Sequence, residues 1–392
     1  MSDVGYIKDT GLRGITVAST KISDVIGEEG KLIYRGYLAK DLVGKMPYEE
    51  LVYLLLYEEL PDNNQLEYIK AQINRESPIH PGIIAALKTR PKDALPMDIL
   101  QSAVSMAAHH DPDTKDSSHE AAVRMAIRLI AKVSTIVAAW ERIRNGKEPV
   151  EPDPSLSHAA NFLYMINGER PDDEMVGFFD TCLLLHAEHS FNASTFTARQ
   201  VASTRAHMYA SIAAAVGSLS GELHGGANTR VMEMLKKIGS TDAVEEYIEN
   251  QLKEGKKVMG LGHAVYKVDD PRALIIAPMS RVMGERKGET KWYEISKQLE
   301  IKAKEAFKKH KNMDIFVNVD FYSASLYFSM GFPMDQFTPI FAVSRIAGWT
   351  AHILEEQFAE AAPKPALYRP ESDYVGDYCG PDVCEFKPIE ER

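Results

Sequence analysis

The sequence predicts an all-α protein, mainly helical, with a small β element near its N-terminus. Helix-start signals and apolar residues at helical spacing recur from Leu38 onward, and strands do not alternate with helices as they do in a doubly wound sheet. At 392 residues the chain is longer than one hydrophobic core usually supports. We therefore expect two mainly helical domains.

Composition argues against several classes of function. The formal net charge of -11 disfavours a nucleic-acid-binding surface, so an anionic ligand would need a local cluster of basic residues. The longest uncharged run, Ala206–Gly221, is shorter than the ~20 apolar residues that a membrane span needs. Three cysteines, Cys182, Cys379 and Cys384, are too few for a disulfide framework, and the first residues lack a basic and apolar signal segment. We expect a cytoplasmic protein without nucleic-acid or membrane partners.

Turn and cap residues predict individual elements. Residues 12–37 are rich in Thr, Val and Ile and contain Gly27-Glu-Glu-Gly30, which indicates a small strand pair. Helix starts are marked by Pro81, Pro96 and the capping residue Asn192.

Two longer helices are also predicted. One runs from His119 to about Asn145. The other, from Ser203 to Ser220, is built from small residues. Small side chains let helices approach closely, so we expect a tight helix–helix contact there, and a subunit interface is one candidate for it.

A glycine-punctuated stretch from Gly255 to Arg272 combines an acid–base group with basic residues. Gly260 and Gly262 would let backbone approach a ligand closely. His263 can exchange a proton near neutral pH, and the lysines and Arg272 can attract an anion. The stretch suggests an anionic substrate beside an acid–base group. The alternative is a loop between two helices with a solvated basic edge.

Two histidines and a glutamate form a second cluster, at His186, Glu188 and His189. The histidines would share one face of a helix, so a metal site is one interpretation, although a third ligand at helical spacing is missing. Histidines that cap a helix before Asn192 are the other interpretation. His189 could contact a substrate in either case.

A third candidate, His224, is followed by Gly225 and Gly226. A glycine bend can present an imidazole to a ligand while backbone amides crowd the same space. The alternative is a histidine with a purely structural role.

A carboxylate and an arginine lie in apolar segments that would bury their charges. Asp320 falls within the apolar and aromatic segment Phe316–Met330, where burial would raise its pKa toward the range of a general base. Its alternative role is to cap a helix that starts near Phe321. Arg345 lies in an apolar helix, where a guanidinium needs an anionic partner.

These residue types suit deprotonation next to a carbonyl, with a carboxylate substrate held by arginine. The motifs that carry them are Glu222-Leu-His-Gly-Gly-Ala-Asn228, Met259-Gly-Leu-Gly-His-Ala-Val-Tyr266 with Asp270-Pro-Arg272, Asn318-Val-Asp-Phe-Tyr-Ser323, and Phe337-Thr-Pro-Ile-Phe-Ala-Val-Ser-Arg345 with Gly348-Trp349 and Ala351-His352. In this order they closely resemble citrate synthase, most of all its short bacterial and archaeal form. The resemblance extends from about Gly11 to Arg392.

The resemblance implies a homodimer whose two domains close over a cleft. Residues 1–222 and 332–392 would form the large domain, and residues 223–331 the small domain with catalytic residues. The implied reaction condenses acetyl-CoA with oxaloacetate and then hydrolyses citryl-CoA to citrate and CoA. Acetyl-CoA is then a substrate, and neither a tightly bound cofactor nor a metal is implied.

The resemblance also implies a role for each site residue. Asp320 would remove a methyl proton from acetyl-CoA, His224 would stabilise the enol, and His263 would polarise the oxaloacetate carbonyl and supply its proton. The substrate carboxylates would be held by His189, Arg272, Arg345 and Arg369, the last from the C-terminal arm of the other subunit. The adenine end of CoA would contact Lys257, Val258, Met259, Gly260, Leu261 and Gly262, with Lys267 near the phosphates. Arg369 has an alternative as a solvated residue of the proline-rich tail.

Several positions depart from the family pattern. Ala264 and Glu371 stand where many bacterial relatives have arginine, and Leu274 and the acidic pair Asp269-Asp270 thin the basic surround. These changes bear on the CoA phosphate contacts more than on the chemistry. The segment Asp377–Cys384 has the look of an insertion.

Three other functions stay open at this stage. A 2-methylcitrate synthase shares the catalytic residues and accepts propionyl-CoA. A metal-dependent hydrolase would use His186, Glu188 and His189. A non-catalytic helical interaction protein is disfavoured, because a scaffold has no need of the catalytic histidines and carboxylate together.

Overall fold

Helices form most of the regular structure. The structure, a computed structural model, describes residues 11–12, 14–263, 265–372, 374–376 and 386–392. Within these residues the protein is mainly helical with one small sheet, which confirms the predicted fold class. No helix in this part of the chain is long and apolar enough to cross a membrane.

The small sheet lies near the N-terminus and has three antiparallel strands, β1 (Ser23–Ile26), β2 (Lys31–Tyr34) and β3 (Tyr37–Leu38). The predicted strand pair is therefore confirmed, and a short third strand adds to it. Asp24 pairs with Ile33, which pairs in turn with Leu38.

The α-helices of the described residues are numbered in chain order. They are α1 (Ala39–Leu42), α2 (Tyr48–Tyr57), α3 (Asn63–Glu76), α4 (Pro81–Lys88), α5 (Pro96–Ala107), α6 (His119–Arg144), α7 (His158–Asn167), α8 (Asp173–His186), α9 (Ala193–Ser203), α10 (Met208–Leu219), α11 (Ala227–Ile238), α12 (Val244–Lys253), α13 (Pro271–Lys287), α14 (Lys291–Lys311), α15 (Val319–Ser329) and α16 (Phe337–Phe358).

Helix starts follow the local signals in the sequence. Pro81 and Pro96 are the first residues of α4 and α5, as predicted. Helix α6 begins at His119, where the Ser118 side chain accepts a hydrogen bond from a first-turn amide. Asn192 caps α9 in the same way through the amide of Thr195.

The predicted single helix from Ser203 to Ser220 is wrong. Helix α9 ends at Ser203, and α10 begins five residues later at Met208. Arg205 between them has a φ of 64°, a left-handed conformation that interrupts a helix, and His207 caps the new one. The expected close packing is present within the chain, between α10 and α5, because a Cβ on Gly217 would lie 2.5 Å from Nε2 of Gln101.

Helix α16 runs through the core, and nearly all of its residues are buried. It packs against α2, α6, α8, α9 and α10. The buried residues include the charged or titratable side chains of Arg345, His352 and Glu355, which an apolar core admits only when they are paired or hydrogen-bonded. This helix therefore forms one wall of the candidate site.

Helices α11 to α15 pack mainly on one another. Trp292 of α14 meets Phe328 of α15 edge to face at 5.5 Å, and Ser280 of α13 shares a 2.7 Å hydrogen bond with Ser325 of α15. The division into residues 1–222, 223–331 and 332–392 stays a prediction. Cys182 is buried in α8. Ala264, Cys379, Cys384 and the insertion-like segment Asp377–Cys384 lie outside the described residues.

Asp180 in α8 and Asp172, the residue that caps this helix, allow a matched test of buried charge. Burial raises the pKa of Asp180 to about 7, the neighbouring Glu49 charge adds to the rise, and the amide of Tyr48 opposes it. Because the folded-state pKa lies above the unfolded one, the stability from Asp180 is present below about pH 4 and is lost as pH rises through about 7.

We predict that the gain in free energy of unfolding caused by Asp180→Asn, relative to the unmodified protein, is larger at pH 8 than at pH 5 by about 1 to 3 kcal/mol. Thermal unfolding of both proteins at both pH values measures it. Asparagine keeps the oxygen that accepts the Tyr48 amide. Asp172→Asn at the start of the same helix is the control and should not stabilise, because Arg286 and the Met175 amide hold the pKa of Asp172 down, to about 2. Equal responses of the two variants would contradict a buried, costly charge at Asp180.

Candidate active site

A cavity of about 650 Å³ lies where the starts of α11, α13 and α15 meet α16 and the loop after α8. The predicted site residues that line it are His189, His224, Gly262, His263, Arg272, Asp320 and Arg345. Residues from five separate stretches of sequence therefore converge on one space.

Asp320 lies in the first turn of α15. Its own amide donates to Asn318 Oδ1 at 3.1 Å, so Asn318 caps the helix and the alternative role of Asp320 as the cap is wrong. Burial raises the pKa of Asp320 to about 6, against the opposing charges of nearby arginines. The carboxylate is thus ionised at neutral pH and still basic enough to accept a proton from carbon.

His224 is held by the start of α9. The Ser194 amide donates to His224 Nε2 at 3.1 Å, so Nε2 is the acceptor and a neutral ring carries its proton on Nδ1. Burial, together with the charge of Arg345, lowers the pKa of His224 to about 4, which keeps the ring neutral. The glycine after it is required, because a Cβ on Gly225 would overlap the carbonyl oxygen of Leu219.

His263 is held by the opposite ring nitrogen. The amides of Val265 and Tyr266 both donate to His263 Nδ1 at 2.9 Å, so a neutral ring carries its proton on Nε2. His263 Nε2 lies 3.9 Å from Asp270 Oδ2. Burial is the main cause that lowers the pKa of His263 to about 4; Asp270 opposes the shift and Arg272 adds to it.

Arg272 and Asp270 form a buried bidentate ion pair at the start of α13. Arg272 Nε and Nη2 donate to the two Asp270 oxygens at 3.0 and 2.7 Å, and Asp270 Oδ1 also caps the helix through the Arg272 amide. The pKa of Arg272 is raised because the ion pair outweighs the opposing effect of burial. Asp270 therefore orients an arginine of the site rather than merely diluting the basic surround.

Arg345 is buried on α16 with its guanidinium at the cavity. Its Nε donates to the His186 carbonyl at 2.6 Å, and its charge lies over the Phe341 ring at 4.6 Å. Burial lowers its pKa to about 10, so it stays charged. Among the described residues no carboxylate lies within ion-pair distance of Arg345. A buried guanidinium needs an anionic partner, and an anionic ligand in the cavity would supply it.

The cluster of His186, Glu188 and His189 does not converge. Helix α8 ends at His186, so His189 lies beyond the helix. The prediction that the two histidines share one helical face is therefore wrong. Glu188 is buried against His352 Nε2 at 3.0 Å and Ser23 Oγ at 2.8 Å, and the group of possible metal ligands that contains His189 includes neither Glu188 nor His186. The metal-hydrolase interpretation therefore lacks its site. His189 instead turns toward the cavity with its ring centre 5.6 Å from that of His263.

A different group could in principle hold a cation: ligand atoms of His189, His263 and Asp270 lie within 4.8 Å of one another. Both Asp270 oxygens, however, already accept from Arg272. Arg272 and Arg345 also lower the pKa of His189, after the larger effect of burial. The local charge thus suits an anion better than a metal cation.

The predicted CoA stretch is a loop that is hydrogen-bonded to the residues before α15. Gly260 O accepts the Asn318 amide at 2.9 Å, and the Gly262 amide donates to Phe316 O at 2.8 Å. A Cβ on Gly260 would lie 2.7 Å from the Phe321 ring, so only glycine fits. These bonds connect the loop of His263 directly to the helix of Asp320.

The other members of that stretch differ in exposure. Val258 is buried, and Met259 and Leu261 are partly buried, with Leu261 bridged to Val317. Lys257 and Lys267 are exposed.

Arg369 is not in the cavity of its own chain. It is exposed, and the residue before it is anchored: the Tyr368 amide donates to Ser203 Oγ at 3.3 Å and its hydroxyl to Glu356 at 3.1 Å. Arg369 makes no ion pair with any described residue.

Sequence reasoning missed the residues that support the site from behind. Ser194 lies among other short polar residues, Asn192 and Thr195, that are equally typical of a helix start. The sequence therefore offered no reason to select Ser194 as the partner of His224. The pairing of Glu188 with His352 joins residues 164 positions apart and has no local signal at all.

The fold and this cavity define an acid–base enzyme that acts on anionic substrates. A family model described as "Citrate synthase, C-terminal domain" matches residues 11–371. The chain therefore belongs to the citrate synthase family, whose members are acyl-transferring enzymes.

Named relatives agree along nearly the whole chain. The citrate synthase of Haloferax volcanii is 41% identical over 97% of this chain and 98% of its own, and citrate synthase 2 of Bacillus subtilis is 44% identical over the same shares. A 2-methylcitrate synthase of Mycobacterium tuberculosis is 37% identical over 93% of this chain and 90% of its own.

Two solved structures show the same fold. Citrate synthase from Pyrobaculum aerophilum superposes with a TM-score of 0.89 at 37% identity, covering 97% of this chain and 95% of that one. The ternary complex of citrate synthase from Thermoplasma acidophilum with carboxymethyl coenzyme A and oxaloacetate has a TM-score of 0.89 at 31% identity, covering 97% and 98%.

The charges around the histidines can be tested without any substrate. Arg345 contributes to the low pKa of His224, whereas the charges that act on His263 are Asp270 and Arg272. We predict that Arg345→Gln raises the pKa of His224, though not to its ordinary value because burial remains, and leaves His263 unchanged. The readout is NMR titration of labelled imidazoles. Arg345→Lys keeps the charge and is the matched control; equal shifts in both variants would contradict the electrostatic explanation.

Proposed function

We propose that the protein condenses acetyl-CoA with oxaloacetate and hydrolyses the resulting citryl-CoA to citrate and CoA. The observation that carries the proposal is one cavity with a carboxylate of raised pKa, Asp320, and two neutral histidines, His224 and His263, that present opposite ring nitrogens. Family membership supplies the reaction class.

The first step makes a nucleophile from the acetyl group. Asp320 takes a proton from the methyl carbon, and the electrons of the broken C–H bond form the enol double bond. As charge develops on the thioester oxygen, that oxygen accepts a hydrogen bond from the Nδ1–H of His224, which is available because the Ser194 amide occupies Nε2. A thioester α-proton is weakly acidic, so base and donor must act together.

The second step joins the two substrates. The Nε2–H of His263 donates to the oxaloacetate carbonyl, and the enol carbon attacks the carbonyl carbon. The new alkoxide takes the Nε2 proton of His263, and the proton that Asp320 removed from the methyl group replaces it, so citryl-CoA forms with no net change in the protons held by the protein. Water then attacks the thioester carbonyl carbon, the C–S bond breaks, and the departing thiolate of CoA takes a proton from the attacking water.

The substrate carboxylates would be held by His189, Arg272 and Arg345, and by the partner's Arg369 in a homodimer. Support for the last comes from Arg369 itself, which is exposed and unpaired among the described residues beside an anchored Tyr368. Arg345 offers a buried guanidinium that makes no ion pair with any carboxylate of the described residues.

Coenzyme A would enter as a substrate along the loop Lys257–Gly262, with Lys267 near its phosphates. Both lysines are exposed, and neither has an ion-pair partner among the described residues. Closure of a small domain, residues 223–331, over this loop would exclude water while the enol exists.

The second candidate function is 2-methylcitrate synthesis from propionyl-CoA. The 37% identity to a named 2-methylcitrate synthase favours keeping it, whereas the 41% and 44% identities to citrate synthases rank it second.

We expect the protein to release CoA from acetyl-CoA only when oxaloacetate is present, with a higher kcat/KM than for propionyl-CoA. The assay compares the two thioesters in parallel, with and without a chelator. A higher kcat/KM for propionyl-CoA would reverse the ranking of the two functions. Loss of activity on chelation and its return with a divalent ion would contradict the metal-free mechanism.

We expect Asp320→Asn to lower turnover roughly 10²–10⁴-fold, the usual share of a general base. In the unmodified enzyme kcat/KM should fall about tenfold per unit as pH drops below about 6, because Asp320 works ionised and both histidines stay neutral there. Exposed Asp314→Asn is the control and should change neither rate nor profile. Near-normal turnover of Asp320→Asn would remove Asp320 as the base.

If the partner's Arg369 completes each site, two inactive variants should complement each other. A mixture of Arg369→Ala and Asp320→Asn, allowed to exchange subunits, should approach about a quarter of full activity, because each mixed dimer has one site with both lesions and one with neither. Two copies of the same variant give no recovery and are the control. Exchange verified by mass spectrometry without recovery would mean that Arg369 does not act across the dimer.

A further inference from the structure

The turn between β1 and β2 lies against the backbone that follows His263. The Gly27 carbonyl accepts the Lys267 amide at 3.0 Å. A Cβ on Gly27 would overlap the carbonyl oxygen of Val265 and lie 2.9 Å from its carbonyl carbon. The second glycine of the turn, Gly30, also lies close to this segment, since its Cβ would lie 2.7 Å from the side chain of Val268. Only residues without a side chain allow this contact.

The backbone that the turn contacts is the backbone that fixes the His263 ring. The amides of Val265 and Tyr266 both donate to Nδ1, and the Lys267 amide that follows them bonds to Gly27. Orientation and tautomer of His263 thus depend on a segment whose position is set by a strand turn more than 230 residues earlier in the chain.

We propose that Gly27 is a positioning residue for His263: the β1–β2 turn holds residues 265–267 so that their amides keep the Nε2–H of His263 directed into the cavity. Gly27 does not touch the substrate and acts only through this backbone. The consequence for catalysis rests on the proposed function, in which His263 polarises the oxaloacetate carbonyl. The positioning itself does not.

The sheet therefore contributes to the site itself. Asp24 and Val25 of β1 line the same cavity as His263, which places the strand before the turn within reach of a ligand. Strand pairing fixes the turn, because Ile26 and Lys31 are the last paired residues on either side of it. A rigid hairpin is better suited than a free loop to hold a neighbouring backbone in place.

The charged and titratable groups around His263 are known, so a change in its titration can be interpreted. Its ring centre lies 4.6 Å from that of Tyr266 and 5.6 Å from that of His189, and Asp270 and Arg272 supply the nearest charges. Asp24 from β1, Asp320 from α15 and Arg345 from α16 line the same cavity. None of these side chains is altered by a substitution at Gly27.

The test compares Gly27→Ala with Gly177→Ala. Both add one methyl group at a glycine without positive φ, but a Cβ on Gly177 in α8 meets nothing within 4 Å. We expect Gly27→Ala to lower kcat/KM for oxaloacetate roughly 10- to 100-fold, the scale of a displacement of about 1 Å at a reacting group. Gly177→Ala should keep the rate of the unmodified enzyme.

An NMR titration supplies a readout that lost stability alone would not move. In Gly27→Ala the pKa of His263 should rise toward its ordinary value, because the ring loses amide donors to Nδ1 and gains water. The pKa of His224, held by the Ser194 amide, should stay low. A Gly27→Ala protein whose rate and His263 titration match those of Gly177→Ala would overturn the proposal.

A measurement on the unmodified protein covers the case in which Gly27→Ala does not fold. Amide hydrogen exchange should show protection at Val265, Tyr266 and Lys267, and exchange of all three at unprotected rates would overturn the proposal. The NMR readouts need no activity. An unmodified enzyme without CoA release but with protected amides would therefore reject the proposed function and leave the positioning role standing.

Discussion

The structure of the site depends on burying positive charge next to a space for an anion. Arg272 and Arg345 are both buried, and charge in a low-dielectric interior must be paired or placed near opposite charge. Arg272 has Asp270 in a bidentate pair, while Arg345 has no ion pair among the described residues. The more distant Glu188, followed by Tyr34 and Asp320, opposes the lowering of the pKa of Arg345. One guanidinium is thereby left available to a substrate carboxylate.

That charge arrangement also sets the protonation of the titratable side chains that line the cavity. Burial together with the arginines keeps His189, His224 and His263 neutral, so the rings can donate hydrogen bonds from one defined nitrogen. Burial raises the pKa of Asp320 even though the same arginines oppose the rise. The site thus holds a carboxylate that is more basic than a free aspartate beside histidines that stay neutral well below the pH at which a free imidazole becomes protonated.

Close backbone approach at glycines is the second constraint, and it joins segments far apart in sequence. Gly225 lies against the Leu219 carbonyl, Gly260 against Phe321, and Gly27 against Val265. On α16, a Cβ on Gly348 would overlap the carboxylate of Glu188, so this glycine makes room for the buried pair of Glu188 with His352. Each contact places a polar group of the site by backbone geometry rather than by a flexible side chain.

The sequence by itself determined what depends on nearby residues. Helix starts at Pro81, Pro96 and Asn192 follow from proline geometry and side-chain caps within one turn, and the mainly helical class follows from their sum. The sequence motifs also identified His224, His263 and Asp320 as candidate site residues. The two histidines lie at glycine bends and Asp320 lies in an apolar segment, and both features can be recognised from neighbouring residues alone.

Only the tertiary structure decided which residues act on one another. It ended α8 at His186 and so separated the histidines that sequence spacing had placed on one face, and it made Asn318 rather than Asp320 the cap of α15. It also determined which ring nitrogen carries the proton: the Ser194 amide donates to Nε2 of His224, and the Val265 amide donates to Nδ1 of His263. The physical reason is that pKa, tautomer and ion pairing depend on burial and on partners brought together by the fold, which sequence spacing does not encode.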